Sequence, residues 1–423
     1  MSASSDPSTA SASLLRAHRS FVRYWFARTS TNAAYMMQAV AVGWQIYDLT
    51  GSAFDLGLVG LVQFVPVVVL GLLVGQIADR YDRRLVVGTC QVVKALAAVV
   101  FAAGTVGGWL TRDAMLAILF VSGTARAFET PTMHALVPGI VPPLLLPRAI
   151  AASATANQSA IIGGPALGGL LYLLGPSVVY VTCAAVFLVA SVLAATIRLL
   201  GPPPGRTPIT LKTLLAGFIY IRGNPVVLGA ISLDLFAVLL GGVTALLPVY
   251  AKDVLDAGPW GLGLLRSAPA VGALLMSIVL ARRALERRVG PILLLSVAVF
   301  GLAAIVFALS TSLVLSMLAL AIYGAADAVS VVIRHSLVQT RTPSDMLGRV
   351  TAVNFMFTGT SGTLGEFRAG AVAALFGAFA SVLAGGIGAV MIALVWMRLF
   401  PEIARVDSIQ GATAADGQGP PKT

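Results

Sequence analysis

Long apolar runs alternate with short polar stretches along almost the whole 423-residue chain. Several runs exceed the roughly 18 residues that suggest a helix crossing a bilayer, whereas membrane strands need only about ten alternating residues. The pattern therefore predicts an all-α membrane protein with twelve transmembrane helices in two six-helix halves. We expect these helices at 22–47, 53–78, 85–107, 113–136, 147–174, 177–199, 225–251, 259–282, 290–310, 312–337, 347–374 and 377–399.

A polar break separates the sixth predicted helix from the seventh. The stretch LLGPPPGRTPITLKT (199–213) contains three consecutive prolines, which a helix interior does not accept. The predicted organisation is a disordered cytoplasmic tail at 1–20, an N-terminal six-helix half at 21–199, a cytoplasmic linker at 200–224, a C-terminal six-helix half at 225–400 and a second disordered tail at 401–423.

The linker itself contains a segment with helical periodicity, LKTLLAGFIYIR (211–222). Its apolar side chains recur three and four positions apart, which is typical of an amphipathic helix lying on a membrane face. The alternative interpretation is that this segment begins a longer seventh span. The apolar positions are Leu211, Leu214, Leu215, Phe218 and Ile219.

The chain is 58% hydrophobic and only 11% charged, yet it carries a net charge of +11. With the N-terminus inside, 22 of the 28 basic residues fall on the predicted inner side and two on the outer side. This distribution follows the positive-inside rule and places both termini in the cytoplasm. Because the basic charge is a topology signal, we expect no nucleic-acid partner.

The two halves resemble each other without a gap when the chain is shifted by 201 residues. An even number of spans in each half gives both halves the same orientation. That is the parallel-repeat arrangement of transporters with six plus six spans, whose substrate site lies near mid-membrane between the halves. Among the matched pairs are Gly123 with Gly324, Arg148 with Arg349, Gly164 with Gly365 and Gly169 with Gly370.

Charge is concentrated in one short loop between the second and third predicted helices. The loop sequence, GQIADRYDRR, resembles the signature loop of the major facilitator superfamily and occupies the same place in the topology. In that family the loop is implicated in closing the cytoplasmic side, so the resemblance implies a breakable inner gate. The alternative is a topology anchor without a gating role. The residues that carry the match are Gly75, Asp79, Arg80, Arg83 and Arg84.

A second motif, GGPALGG in the fifth predicted helix, resembles the glycine-proline motif of the exporter branch of that superfamily. One position departs from the fuller pattern, since Ala160 stands where a glycine is expected. The stretches 43–61, 211–225 and 339–350 also look like the small-molecule efflux branch that includes the enterobactin exporters. The glycine-proline motif implies either close helix packing alone or a hinge or leak-proof seal, as the resemblance to such exporters suggests. Its residues are Gly163, Gly164, Pro165, Gly168 and Gly169.

Ionisable residues inside membrane helices are candidates for function. Arg126 and Glu129 lie three apart on the fourth predicted helix and so share a face. They either neutralise each other or form a pair that substrate or a proton breaks, and the family resemblance links an arginine near this position to proton transfer. Lys94 in the third helix is expected to extend toward the cytoplasmic end.

The second half carries further charges within its predicted spans. Asp234 and Asp327 have no basic residue three or four positions away, which favours isolated carboxylates that exchange protons. The alternative is that each is a hydrogen-bonded structural acid. Arg266 and Arg368 are candidate contacts for an anionic substrate, and Arg368 has Glu366 and Asp327 as possible partners.

These features predict a secondary transporter of the bacterial inner membrane that exports a small organic molecule, siderophore-like or drug-like, by alternating access. The sequence lacks a P-loop, and its three histidines are too scattered for a metal site, so we expect proton coupling without ATP, metal or cofactor. The expected partners are the lipid bilayer, a small-molecule substrate and protons, and the expected state is a monomer.

Two other functions remain open from the sequence. An importer or facilitator would use the same fold and gate. A receptor or assembly scaffold would keep the fold but have lost transport.

Overall fold

The computed structural model describes residues 18–200, 211–283 and 287–408, without the side chains of 71–80 and 211–214. The predicted tails and much of the linker therefore lie largely outside the described residues. The helices are α1 Arg19–Thr50, α2 Ala53–Arg80, α3 Arg83–Val106, α4 Arg112–Leu136, α5 Leu146–Tyr172, α6 Pro176–Ala195, α7 Leu211–Gly223, α8 Pro225–Gly241, α9 Gly258–Arg282, α10 Val289–Leu309, α11 Leu313–Arg341, α12 Ser344–Phe376 and α13 Ala378–Leu399.

The apolar composition and the length of these helices identify them as transmembrane helices. In the described part of the chain, eight helical segments are long and apolar enough to cross a membrane. The more polar α1, α4, α5 and α12 have 32, 25, 27 and 33 residues. At 1.5 Å per residue, even the shortest exceeds the bilayer's hydrocarbon core of about 30 Å. The protein is thus an all-α membrane protein, and α7 is additional to its twelve long helical spans.

The described residues form two compact units. The first contains 18–50 and 62–200, and the second contains 51–61, 211–283 and 287–408. Within the first unit α1 packs on α5 and α6, and α3 packs on α4 and α6. Within the second unit α8 packs on α12 and α13, and α10 packs on α11 and α13. The same set of helix pairs therefore recurs in both units, as the 201-residue repeat requires.

Glycines matched by the repeat also occupy matching close contacts. A methyl group on Gly164 would lie 3.0 Å from the carbonyl oxygen of Ala33 in α1, and one on Gly365 would lie 2.7 Å from the carbonyl oxygen of Val238 in α8. Without a side chain at these positions, the helix backbones approach closely. Gly123 packs in the same way on the backbone of α2, and Gly324 on the backbone of α9.

The seventh span is interrupted in its middle. Helix α8 ends at Gly241, and the chain continues through a 3-10 turn (Thr244–Leu246), a short α-helical turn (Leu247–Val249) and a π-helix (Tyr250–Val254). An interruption of this kind leaves backbone carbonyls without intrahelical partners, and inside a membrane they need other donors.

Helix α7 is separate from the seventh span. Asn224 ends it and caps α8, since its side chain accepts a hydrogen bond of 3.2 Å from the Val227 amide. Tyr220 of α7 donates to the Arg341 carbonyl at 2.6 Å, and Ile221 is buried. The interpretation of 211–222 as the start of a longer span is therefore wrong. Leu215, Phe218 and Ile219 are exposed, while the side chains of Leu211 and Leu214 lie outside the described residues.

Candidate functional site

Polar side chains from four helices of the first unit converge on one cavity of about 220 Å³. Helices α1 and α4 supply most of the lining side chains, and α3 and α5 supply one side chain each. Such a cluster is costly within a membrane unless its members satisfy one another or serve a function. The lining residues are Arg28, Thr31, Asn32 and Tyr35 of α1, Lys94 of α3, Arg126, Glu129, Thr130, Met133 and His134 of α4, and Asn157 of α5.

The centre of this cluster is the carboxylate of Glu129, whose residue is only 4% exposed. Lys94 forms an ion pair with one of its oxygens, and the Gln91 amide donates to the other at 2.5 Å. Gln91 also donates to the hydroxyl of Thr31 at 2.7 Å. The Lys94 ammonium lies 4.6 Å from the centre of the Phe187 ring, which gives it a cation–π contact. Glu129 is thus satisfied by a network from α1 and α3.

Arg126 makes a different contact from the one expected. Its guanidinium carbon lies 3.7 Å from the centre of the Tyr35 ring, and the Tyr35 hydroxyl contacts Gln63 at 3.3 Å. The predicted pairing of Arg126 with Glu129 is therefore wrong, because Lys94 pairs with Glu129 instead. Spacing within α4 places Arg126 and Glu129 on one face, but α3 brings an ammonium group closer to the carboxylate.

Other polar side chains that line the cavity also contact one another or neighbouring residues. Asn32 and Asn157 hydrogen-bond across α1 and α5. Arg28 donates to the Tyr24 hydroxyl at 2.7 Å and lies 3.4 Å from a ring nitrogen of His134. Besides His134, the lining residues include three basic side chains, Arg28, Lys94 and Arg126, and one acidic side chain, Glu129, so the cavity has excess positive charge.

In the second unit, Asp234 and Arg334 form a buried ion pair between α8 and α11. The two residues are 5% and 3% exposed. The prediction of an isolated Asp234 is therefore wrong, because Arg334 neutralises it. A search three and four positions along one helix does not detect a partner 100 positions away in the chain.

We expect removal of one partner of this pair to destabilise the protein more than removal of both. Asp234→Asn leaves the Arg334 guanidinium buried without its counter-ion, at a cost of about 3 kcal/mol. The double variant Asp234→Asn/Arg334→Gln should recover much of this loss. Thermal unfolding measures the change in stability, with labelling of the buried Cys90 and Cys183 thiols as the signal for unfolding.

Asp345→Asn is a suitable control for that measurement because Asp345 is exposed in the first turn of α12. Its loss should cost less than about 1 kcal/mol. Equal losses in Asp234→Asn and Asp345→Asn would contradict a stabilising role for the buried pair.

Asp327 lies half-buried in α11, and it makes no hydrogen bond or ion pair with any residue that the structure describes. One turn before it, Tyr323 donates to the Gly241 carbonyl at 3.1 Å. Arg368 donates to the Leu240 carbonyl at 2.5 Å. These two donors satisfy carbonyls at the interruption of the seventh span.

An ion pair with Glu366 or Asp327 was one of the two alternatives for Arg368, beside contact with an anionic substrate. Of the two possible partners, Asp327 makes no ion pair with a described residue, and one guanidinium nitrogen of Arg368 donates to the Leu240 carbonyl. Arg266 is half-buried in α9. The structure places these candidate substrate contacts on two different helices, α9 and α12.

The charged loop between α2 and α3 is described from Tyr81 onward, and the side chains of Gly75, Asp79 and Arg80 lie outside the described residues. Arg83 donates to the Ala135 carbonyl at 3.0 Å, and Arg84 donates to the Ile197 carbonyl at the same distance. Arg84 also forms an ion pair of 2.6 Å with Asp82. Its hydrogen bonds hold the pKa of the Asp82 carboxyl below the usual range.

The glycine-proline motif lies along the contact between α5 and α1. A methyl group on Gly168 would lie 2.7 Å from the Cα of Met37, and one on Gly164 would lie 2.6 Å from the Cβ of Met36. Pro165 and Gly169 are buried as well. A methyl group on Gly163 would meet nothing within 4 Å. The motif thus contains two closely packed glycines and one in open space.

Comparison with known proteins agrees with this architecture. The family profile described as Major Facilitator Superfamily matches residues 24–366, and the chain belongs to that family. It is 28% identical over 418 residues to the Enterobactin exporter EntS of Escherichia coli O157:H7 (strain EC4115 / EHEC), an alignment that covers 96% of this chain and 98% of the relative. Identity to the Enterobactin exporter EntS of Shigella dysenteriae serotype 1 (strain Sd197) is also 28%, with 92% and 94% covered.

Solved structures show the same fold. A bacterial homologue of the human lysosomal transporter Spinster, in an inward-facing and unoccupied conformation, has a TM-score of 0.73 at 14% identity, covering 91% of this chain and 98% of that one. The D-xylose-proton symporter has a TM-score of 0.68 at 14% identity, covering 90% and 98%. The protein is therefore a transporter of the major facilitator fold, and it resembles the enterobactin exporters over nearly its full length.

Several residues of the site were not among the sequence-based candidates. Gln91, Thr31 and Tyr35 hold the charged groups of the cavity, and Arg334 neutralises Asp234. A polar residue within a long apolar helix is the only sequence signal that these residues share. That signal marks a position as unusual but does not identify its partner.

Proposed function

We propose that this protein is a proton-coupled exporter of a small organic molecule, siderophore-like or drug-like, that works by alternating access in the bacterial inner membrane. The observation that carries the proposal is the buried Glu129 carboxylate, which lies in a polar cavity and is held by Lys94 and Gln91. Similarity to proteins named enterobactin exporters favours export and a small organic substrate.

Protonation of Glu129 is the proposed coupling step. The carboxylate is the counter-ion of Lys94, so a proton on Glu129 removes the Coulomb attraction between them. Lys94 would then lie buried as an uncompensated charge, which is unfavourable unless the helices move or an anionic group enters. Arg126 lies in the same cavity, and Asp327 is the candidate for a second proton site because no described residue neutralises it.

The other candidate residues have proposed roles around this centre. The loop with Gly75, Asp79, Arg80, Arg83 and Arg84 is the proposed cytoplasmic gate, and both termini lie on its side of the membrane. The proposed substrate contacts of the second unit are Arg266 and Arg368. One guanidinium nitrogen of Arg368, Nε, is buried without a hydrogen-bond partner among the described residues. We propose that the transporter works as a monomer.

Transport in everted vesicles tests this function, because export then moves the compound into the vesicle. Vesicles that contain the protein are tested with a panel of siderophores, macrolides and dyes, with and without a proton gradient. We expect uphill movement of at least one compound, and we expect an uncoupler to abolish it. Vesicles without the protein are the control.

Other outcomes of that experiment identify other functions. Flux that persists without the gradient, and only down a concentration difference, indicates a facilitator. Accumulation in the opposite direction indicates an importer. Ligand binding without any flux in liposomes indicates a receptor or scaffold.

A further inference from the structure

A second cavity of the first unit lies where the start of α1 meets the end of α6. Its volume is about 330 Å³. Three arginines and a histidine line it, and none of its described lining residues is a carboxylate. The four basic residues are His18, Arg19 and Arg23 from the start of α1 and Arg198 from the segment after α6.

Hydrogen bonds to uncharged hydroxyl and carbonyl groups hold this cavity together without neutralising its charge. The Arg198 amide donates to the hydroxyl of Ser20 at 3.1 Å, and Arg23 donates to the Thr196 carbonyl at 2.5 Å. The Leu200 amide donates to the Gly139 carbonyl at 2.8 Å. The first two bonds fix the segment after α6 to the start of α1, and the third fixes it to the 3-10 turn Val137–Gly139 that follows α4. Since carbonyl groups carry no net charge, the arginines keep their full positive charge.

No described acidic residue pairs with these four basic residues. Like charges in one cavity repel each other, and an anion that enters it relieves this repulsion. Guanidinium groups present several N–H donors in a planar fork that matches the oxygen atoms of a phosphate. The cavity therefore has the chemistry of a phosphate site.

The surface beside the cavity is apolar. Three positions after Arg23, Phe26 of α1 is 51% exposed, and four positions before Thr196, Val192 of α6 is 63% exposed. Phe26 thus lies on the same face of α1 as Arg23, which lines the cavity, and Val192 lies one turn before Thr196, whose carbonyl accepts the hydrogen bond from Arg23. A charged site thus continues directly into a surface suited to hydrocarbon chains.

We propose that this cavity binds the phosphate group of an anionic phospholipid, whose acyl chains lie along α1 and α6. Basic pockets between membrane helices are suited to anionic headgroups, and the predicted topology places this one in the inner leaflet. A free phosphate ion would use the same guanidinium groups but would not use the apolar surface. The lipid is therefore the favoured source of the phosphate.

Native mass spectrometry of the full-length protein tests the site. The protein is titrated in detergent with dioleoyl phosphatidylglycerol, with dioleoyl phosphatidylcholine, or with inorganic phosphate. The variant is Arg19→Gln/Arg198→Gln. The control is Arg148→Gln/Arg349→Gln, which removes equal charge at two exposed positions outside the cavity.

We expect phosphatidylglycerol to bind more tightly than phosphatidylcholine. One basic side chain near an anionic lipid contributes about fivefold in affinity, so the double variant should bind phosphatidylglycerol about 25-fold more weakly. The control double variant should bind like the wild type. Equal loss of phosphatidylglycerol affinity in the cavity variant and in the control variant would overturn the proposed site.

Two measurements keep the proposal testable if the glutamine variant does not fold. Arg19→Lys/Arg198→Lys keeps the charge and should keep most of the binding. In the wild type, equal binding of phosphatidylcholine and phosphatidylglycerol would exclude a headgroup site. Displacement of the lipid by inorganic phosphate at similar concentration would show that the cavity takes a free anion instead.

Discussion

Replacing Glu129 with glutamine should reduce proton-driven efflux to the level of vesicles without the protein. Glutamine keeps the shape and the hydrogen-bonding oxygen but does not exchange a proton near neutral pH. It also leaves Lys94 buried without its counter-ion, which costs about 3 kcal/mol of stability. Efflux in everted vesicles and thermal unfolding measure the two effects separately.

A second variant separates loss of coupling from loss of stability. Glu129→Gln/Lys94→Met removes both charges, and replacing a buried pair by uncharged side chains is often neutral for stability. We expect the double variant to unfold within about 1 kcal/mol of the wild type and still to lack proton-driven efflux.

The matched control for this pair of variants is Glu402→Gln. Glu402 is exposed in a short helix near the end of the described chain, so the same chemical change should leave efflux unaltered. Wild-type, uncoupler-sensitive efflux in the Glu129→Gln protein would show that Glu129 carries no proton.

Adding one methyl group at Gly168 should destabilise the protein by about 2 kcal/mol. The new methyl group would lie 2.7 Å from the Cα of Met37 and 2.9 Å from its carbonyl oxygen, so α5 and α1 must separate. Separation removes the close backbone approach on which helix association in membranes depends. The unfolding temperature of Gly168→Ala in detergent measures this effect.

Gly163→Ala is the control within the same motif. A methyl group there would meet nothing within 4 Å, and alanine is a better helix former than glycine. We expect the Gly163→Ala protein to be as stable as the wild type or slightly more stable. Equal destabilisation by both substitutions would mean that the motif acts through backbone flexibility and not through packing.

Much of the fold follows from local patterns. Helices that cross a membrane must satisfy all their backbone groups internally, so a long apolar run has few alternatives to a helix. For this reason the apolar runs predicted the spans closely, as with α10 at Val289–Leu309 against the expected 290–310. The glycine matches of the repeat also have a local cause, because only a residue without a side chain allows two backbones to approach so closely.

The partners of the buried charges were not accessible from such patterns. Arg126 and Glu129 share a helix face, yet Tyr35 contacts the first and Lys94 neutralises the second. Asp234 has no basic neighbour along α8, but α11 brings Arg334 to it. Each of these contacts joins two different helices, and the pair of residues lies at least 35 positions apart in the chain.

The sequence by itself thus determined the membrane-spanning helices, their internal repeat and the family, because hydropathy and glycine placement act over short distances along the chain. Only the tertiary structure decided which charges pair and which polar groups share a cavity. The physical reason is that a buried charge must find a counter-ion or hydrogen-bond donor wherever helix packing brings one. In this protein the packing of α3 on α4 brings Lys94 to Glu129, and the packing of α11 on α8 brings Arg334 to Asp234.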